Sequence, residues 1–142
     1  MKNDIDIDIS IPSHTRYLRM IGRIGEKVAQ EIDCPEVIRE ALPNQLAVVL
    51  TEGLVNAIKH ANCADPNKEI HVRINVTNKN LVVRIYDNGV GFDLDAVPAP
   101  CFSSNGLEDK GRGIFILRSL MDTVKYTRIA GGNILEMKKK LA

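Results

Sequence analysis

The chain has 142 residues, enough for one domain with a sizeable core. Hydrophobic residues make up 44% and charged residues 26%, and the formal net charge of +1 is too close to neutral to point to a nucleic-acid or membrane partner. There is no Trp and aromatic content is 4%, which argues against a base-stacking platform. Cys34, Cys63 and Cys101 form no C-x-x-C pair, so neither a zinc site nor a disulfide framework is expected, and a reducing cytoplasm is the simplest compartment. The stretch M-K-N-D-I-D-I-D-I-S lacks the apolar block of a signal peptide, and no apolar run reaches membrane-spanning length.

Ile5, Ile7, Ile9 and Ile11 alternate with Asp6, Asp8 and Ser10, predicting a half-buried strand whose acidic face suits a sheet edge. Tyr17, Leu18, Ile21, Ile24, Val28 and Ile32 recur at helical spacing, predicting a helix over 13–32. Pro35 and Pro43 punctuate a short, partly helical segment, and a long helix is expected over 44–61. After a loop containing Asn62, Asp65, Pro66 and Asn67, I-H-V-R-I-N-V (70–76) and L-V-V-R-I-Y (81–86) read as a hairpin joined by T-N-K-N. Residues 94–110 lack periodicity and read as a loop. Next, G-R-G (111–113) is expected to open a helix over 114–121, and two strands, T-V-K-Y-T-R-I and N-I-L-E-M-K-K, flank a Gly131-Gly132 turn. The order β-α-α-β-β-loop-α-β-β predicts an α+β, two-layer sandwich: a mixed, mainly antiparallel sheet with helices on one face, in a single domain over 1–142.

Three polar clusters interrupt this pattern. In E-G-L-V-N-A-I-K-H, Glu52, Asn56 and His60 fall at i, i+4 and i+8, nearly one face of a helix, with Lys59 beside them. A polar stripe on a solvated helix is the plain reading. Leu54, Val55, Ala57 and Ile58 crowd the other faces and leave little surface to solvate. Mg²⁺ keeps several waters and can be held by one protein oxygen, such as the Asn56 carbonyl. Lys59 can then neutralise phosphate charge, and Glu52 can accept a proton from an attacking hydroxyl. In D-N-G-V-G-F-D, Asp87 offers only acceptors, which suits the exocyclic amine of adenine, and Gly89 and Gly91 permit a sharp turn and close approach of a ligand. An ordinary capped turn is the plain reading there. In G-R-G, backbone N–H groups at a helix start plus Arg112 would make an anion site. Each cluster is weak alone; the three in this order are much more specific.

Glu52-x-x-x-Asn56, Asp87-x-Gly89-x-Gly91 and Gly111-x-Gly113 resemble the N, G1 and G2 boxes of the Bergerat-fold (GHKL) ATPases, and the chain is most similar to bacterial anti-sigma-factor serine-protein kinases. G-R-G-I-F-I-L-R-S-L-M-D is the most telling run. The resemblance implies ATP and Mg²⁺ as cofactors. Asn56 would hold Mg²⁺ and Asp87 the adenine amine. Gly89 and Gly91 would shape the pocket, and Gly111, Arg112 and Gly113 would meet the phosphates, flanked by Lys59 and His60. Glu52 would be the catalytic base. The implied phosphoryl acceptor is a serine on a STAS-type anti-sigma-factor antagonist, which competes with a sigma factor for a kinase that is commonly a homodimer. The chain departs from the family in one place that matters: Asn133 follows Gly132 where Gly-Thr is frequent, and its amide could hydrogen-bond at the adenine pocket. A histidine-kinase catalytic domain fits poorly, because it needs a helix pair bearing the phosphorylated histidine. A nucleotide-binding regulatory module without kinase activity would carry the same boxes, and so would a fold relative that has lost nucleotide binding.

Overall fold

The computed structural model describes residues 4–61, 65, 67–89 and 107–142, with only the backbone of residues 60–61 and 107–112. The expected Gly91 and the loop around it lie outside the described residues, as do Cys63 and Cys101. Strand β1 (Ile5–Pro12) leads through a 3-10 turn (Thr15–Tyr17) into α1 (Leu18–Gln30), followed by a single turn α2 (Glu36–Arg39). The long helix α3 (Leu42–Asn56) runs into a π-helical turn, Ala57–Ala61. A hairpin of β2 (Glu69–Thr77) and β3 (Asn80–Asp87) follows, then α4 (Leu107–Leu120) and a second hairpin, β4 (Thr123–Ile129) and β5 (Gly132–Lys140).

The five strands form one sheet in the order β1-β2-β3-β5-β4. The α+β class is as expected, but the sheet is antiparallel throughout rather than mixed. The register explains this: β4 runs in the same direction as β3, and β5 folds back into the space between them, so every pairing among the described residues is antiparallel. Strand β1 is an edge, and its acids are paired: Arg73 donates to Asp6 at 3.0 and 2.9 Å, and His71 meets Asp8 at 2.9 Å. Farther along the same outer face Arg84 donates to Glu136 at 2.7 Å, so the open side is a ladder of cross-strand ion pairs.

The inner face is apolar and follows the two-residue period of a strand. Ile70, Val72, Ile74 and Val76 of β2, Leu81, Val83 and Ile85 of β3, and Leu135 and Met137 of β5 are buried beneath the helices. Each such side chain is worth about 1.5–3 kcal/mol relative to exposure. Helix α1 begins later than the spacing predicts, because His14 is extended (φ −151°) and its Nδ1 accepts the Arg16 N–H at 3.0 Å, stopping the helix short of Ser13. Helix α3 starts at Leu42 and tolerates Pro43 in its first turn, where the missing N–H has no helical partner to lose. Among the described residues no helix is long and apolar enough to cross a membrane.

Helix α3 lies between α1 and α4 and is buried at Leu42, Leu46, Val49, Leu50, Gly53 and Leu54. Gly53 sets its depth. A β-carbon there would collide with Ile85 Cδ1 and stand 3.4 Å from Met137 Cε and 3.6 Å from Leu135 Cδ2. The helix therefore rests directly on β3 and β5, just short of their Asp87–Asn133 end. Substituting Gly53→Val should cost about 1–3 kcal/mol through overpacking, read as a lower urea midpoint at unchanged slope. An unshifted midpoint would show that the helix does not seat here.

Candidate functional site

At one end of the inner face the apolar pattern stops. Asp87 of β3 and Asn133 of β5 are cross-strand partners, 4% and 1% exposed. Asp87 Oδ1 accepts the Gly89 N–H at 2.8 Å and Asn133 Nδ2 at 2.9 Å, and Asn133 Nδ2 also donates to Gly89 O at 2.9 Å. One carboxamide thus ties the carboxylate to the Asp-Asn-Gly turn. Gly132 lets β5 pass this close, since a β-carbon there would collide with the carbonyl oxygen of Asp87. Lys68, just ahead of β2, donates to Asn88 O at 3.3 Å and steadies the same turn. Burial pushes the Asp87 carboxyl above its ordinary value, opposed by the bonds from Asn133 and Gly89 and by the Lys68 charge.

The second half of the site sits on α3. Asn56 is 4% exposed, and its Nδ2 donates to the Glu52 carbonyl at 3.0 Å, which directs the amide oxygen away from the helix backbone. Glu52 is half-buried. Facing both is Gly113 of α4: a β-carbon there would stand 3.2 Å from Glu52 Oε2 and 3.6 Å from Asn56 Nδ2. Any side chain at 113 would occupy the space in front of the carboxylate and the amide. With Gly53 seating α3 on Ile85 and Leu135, each two residues short of Asp87 and Asn133, one stretch of helix connects the two polar groups.

Two expectations change. The G-R-G run does not start a helix. Gly111, Arg112 and Gly113 lie inside α4, which begins at Leu107, so their N–H groups are not those of its open end. Leu107, Glu108 and Lys110 are good helix formers and extend the helix upstream of its apolar spacing, which is why periodicity placed the start too late. The stripe of Glu52, Asn56 and His60 is also not one regular face. The wider π turn from Ala57 rotates Lys59 and His60 relative to the residues before it, and such turns recur at functional sites. Asp87, Gly89 and Asn133 come together, as do Glu52, Asn56 and Gly113. Sequence reasoning missed Lys68 and Gly53. Their partners lie 20 and 32 residues away, and no local signal marks either.

A family profile described as the histidine kinase-like ATPase domain matches residues 11–139. The chain belongs to the histidine kinase-like ATPase family. Within it, the chain is 28% identical over 138 residues to the serine-protein kinase RsbW of Bacillus subtilis, covering 92% of this chain and 84% of that protein. It is 29% identical over 152 residues to RsbW of Bacillus licheniformis, covering 99% and 89%. It is 30% identical over 99 residues to RsbW of Listeria innocua, covering 66% and 63%. A crystal structure of the RsbU and RsbW domains of a Mycobacterium tuberculosis protein has the same fold, with a TM-score of 0.61 at 12% identity over 96% of this chain. The chain spans about a third (32%) of that longer protein.

Asp87 of this ATPase domain also has a stability signature. Its raised folded-state value means that its contribution to stability is complete below the unfolded carboxyl value of about 3.9 and is lost as pH rises through the raised value. At neutral pH the buried charge is therefore a cost. Asp87→Asn can still accept both hydrogen bonds through its amide oxygen. It is expected to melt at or above wild type at pH 7, with the advantage shrinking toward pH 4. A variant that loses stability at pH 7 relative to pH 4 would contradict this.

Proposed function

We propose that this chain is an ATP-dependent protein-serine kinase that acts as an anti-sigma factor. It would phosphorylate a serine on a STAS-type anti-sigma-factor antagonist and sequester a sigma factor when that antagonist is phosphorylated. The observation that carries the reading is Gly113 of α4 set against Glu52 and Asn56 of α3, beside a buried Asp87 that Asn133 holds in place. The relatives' names, serine-protein kinase RsbW, support the kinase part of this reading.

The donor set fits Mg²⁺ and an adenine nucleotide. Asp87 is a buried acceptor at the closed end, where an exocyclic amine supplies the donor. Asn56 offers one amide oxygen, enough for a cation that otherwise keeps water and phosphate oxygens as ligands. Gly113 has no side chain, so α4 places no β-carbon against Glu52 Oε2 or Asn56 Nδ2. When bound, ATP supplies the phosphoryl group and Mg²⁺ the charge neutralisation that its transfer needs. Glu52 takes the proton from the attacking serine hydroxyl. Lys59, His60, Gly91, Gly111 and Arg112 are assigned to the nucleotide by their motif positions. The transition state is loose and spreads its charge, so positioning and electrostatics carry most of the work and this small set suffices. The chain would act as one kinase domain over 1–142, as a cytoplasmic homodimer without nucleic-acid or membrane partners.

Glu52→Gln separates catalysis from binding. It should bind Mg·ADP within a few-fold of wild type, yet transfer phosphate to a co-purified STAS protein about 10²–10⁴-fold more slowly. Unchanged transfer would remove Glu52 as the base. Nucleotide binding with no transfer by wild type to any STAS partner would instead favour a regulatory module that binds ATP and sequesters a partner.

A further inference from the structure

Lys68 reaches the Asp87 corner from outside the three motifs. Its backbone is fixed on both sides. Its N–H donates to Asp65 O at 3.1 Å, and its carbonyl accepts the Ser13 N–H at 2.8 Å, just past the end of β1. Asp65 is itself held, its Oδ1 accepting the Asn67 N–H at 2.9 Å. Lys68 stands two residues before Ile70, the cross-strand partner of Asp87, and so lies level with Asn88 and Gly89. From that fixed root its Nζ donates to Asn88 O at 3.3 Å.

The carbonyl it holds belongs to the same peptide as the Gly89 N–H. That peptide is planar and is held at both ends: its oxygen by Lys68 Nζ, its N–H by Asp87 Oδ1 at 2.8 Å. An ammonium on the oxygen polarises the peptide and strengthens its N–H as a donor to the carboxylate. The same ammonium is the charge that opposes the effect of burial on Asp87. The other groups around Asp87 do not supply it. Asn133 of β5 is neutral, and Glu52 of α3 is an acid. On the reverse side of the sheet Asp8, His71, Arg73 and Tyr86 line a cavity that Asp87 also borders, but there His71 is tied to Asp8 and Arg73 to Asp6.

We propose that Lys68 is a positioning residue for nucleotide binding: through the Asn88–Gly89 peptide and its own charge, it keeps the Asp87 carboxylate ionised and oriented as an acceptor. This rests on the nucleotide reading above and extends it to a residue that none of the motifs contains. Lys68 acts through Asp87 and touches no nucleotide atom.

Calorimetric titration of wild type, Lys68→Met and Lys68→Arg with Mg·ADP at about pH 8, 6.5 and 5 tests this. The measure is the ratio of each variant's Kd to that of wild type, which cancels the titration of the ligand phosphates and of groups common to both proteins. Without the ammonium, Asp87 takes up its proton at a higher pH than in wild type, so affinity should fall sooner on acidification. The Lys68→Met ratio should therefore grow by about threefold or more from pH 8 to pH 5. In Lys68→Arg, which keeps a charge and a donor, the ratio should stay flat. A Lys68→Met ratio that is the same at all three pH values would overturn the proposal, because lost bracing or lost attraction to phosphate does not follow the Asp87 proton. So would a Lys68→Arg ratio that rises as steeply as that of Lys68→Met. If Lys68→Met does not fold, Lys68→Gln decides by the same criterion. Failure of wild type to bind Mg·ADP at any of these pH values would overturn the nucleotide reading, and this proposal with it.

Discussion

A carboxylate buried at the end of an apolar sheet face is an expensive feature, and the rest of this molecule is arranged around keeping it. Asp87 is 4% exposed, at the end of the sheet face that the helices cover. Such a group survives only where hydrogen bonds hold it. Asn133 and the Gly89 N–H provide them, and both require β5 to run hard against the end of β3. Gly132 permits that contact and Lys68 braces the turn from the other side. The compensation is incomplete, since burial still raises the carboxyl above its ordinary value. That residual cost makes Asp87 a candidate for a functional role.

The depth of α3 follows from the same constraint. Gly53 lets the helix sit on Ile85 and Leu135, and this brings Glu52 and Asn56 alongside the strand ends that carry Asp87 and Asn133. On its other flank α4 approaches closely enough that a β-carbon at Gly113 would stand 3.2 Å from Glu52 Oε2. Two close contacts, one to the sheet and one to α4, thus hold the Asp87–Asn133 corner and the Glu52–Asn56–Gly113 wall in place relative to each other. The ion-pair ladder lies on the open face of the sheet. It joins β1 to β2 and β3 to β5, and keeps the edge strand's acids satisfied.

Much of this was legible in the chain. Alternation in I-D-I-D-I-S-I marked the first strand, and the turns T-N-K-N and Gly131-Gly132 marked the two hairpins, so all five strands were visible. The three motifs named the family, and the profile match agrees. What failed has physical causes. Apolar spacing locates the packed part of a helix, so the polar first turns of α4 went unseen and G-R-G was placed at its start. A regular helix was assumed through Ala57–Ala61, where the backbone widens. Contacts such as Lys68 with Asn88, or Gly53 with Ile85, join residues that no local pattern connects. Asn133 was visible as a departure from Gly-Thr, but its hold on Asp87 depended on the β3–β5 register.

The central claim is that the Asp87–Asn133 corner and the Glu52–Asn56–Gly113 wall are two halves of one nucleotide pocket. Amide chemical-shift mapping during a titration with Mg·ADP tests it most directly. The largest changes should fall together on Gly89, the Asn133 and Asn56 side-chain amides and Gly113, with a single saturation curve. Changes confined to the open face around His71, Arg73 and Arg84, or two clusters that saturate at different concentrations, would contradict the account.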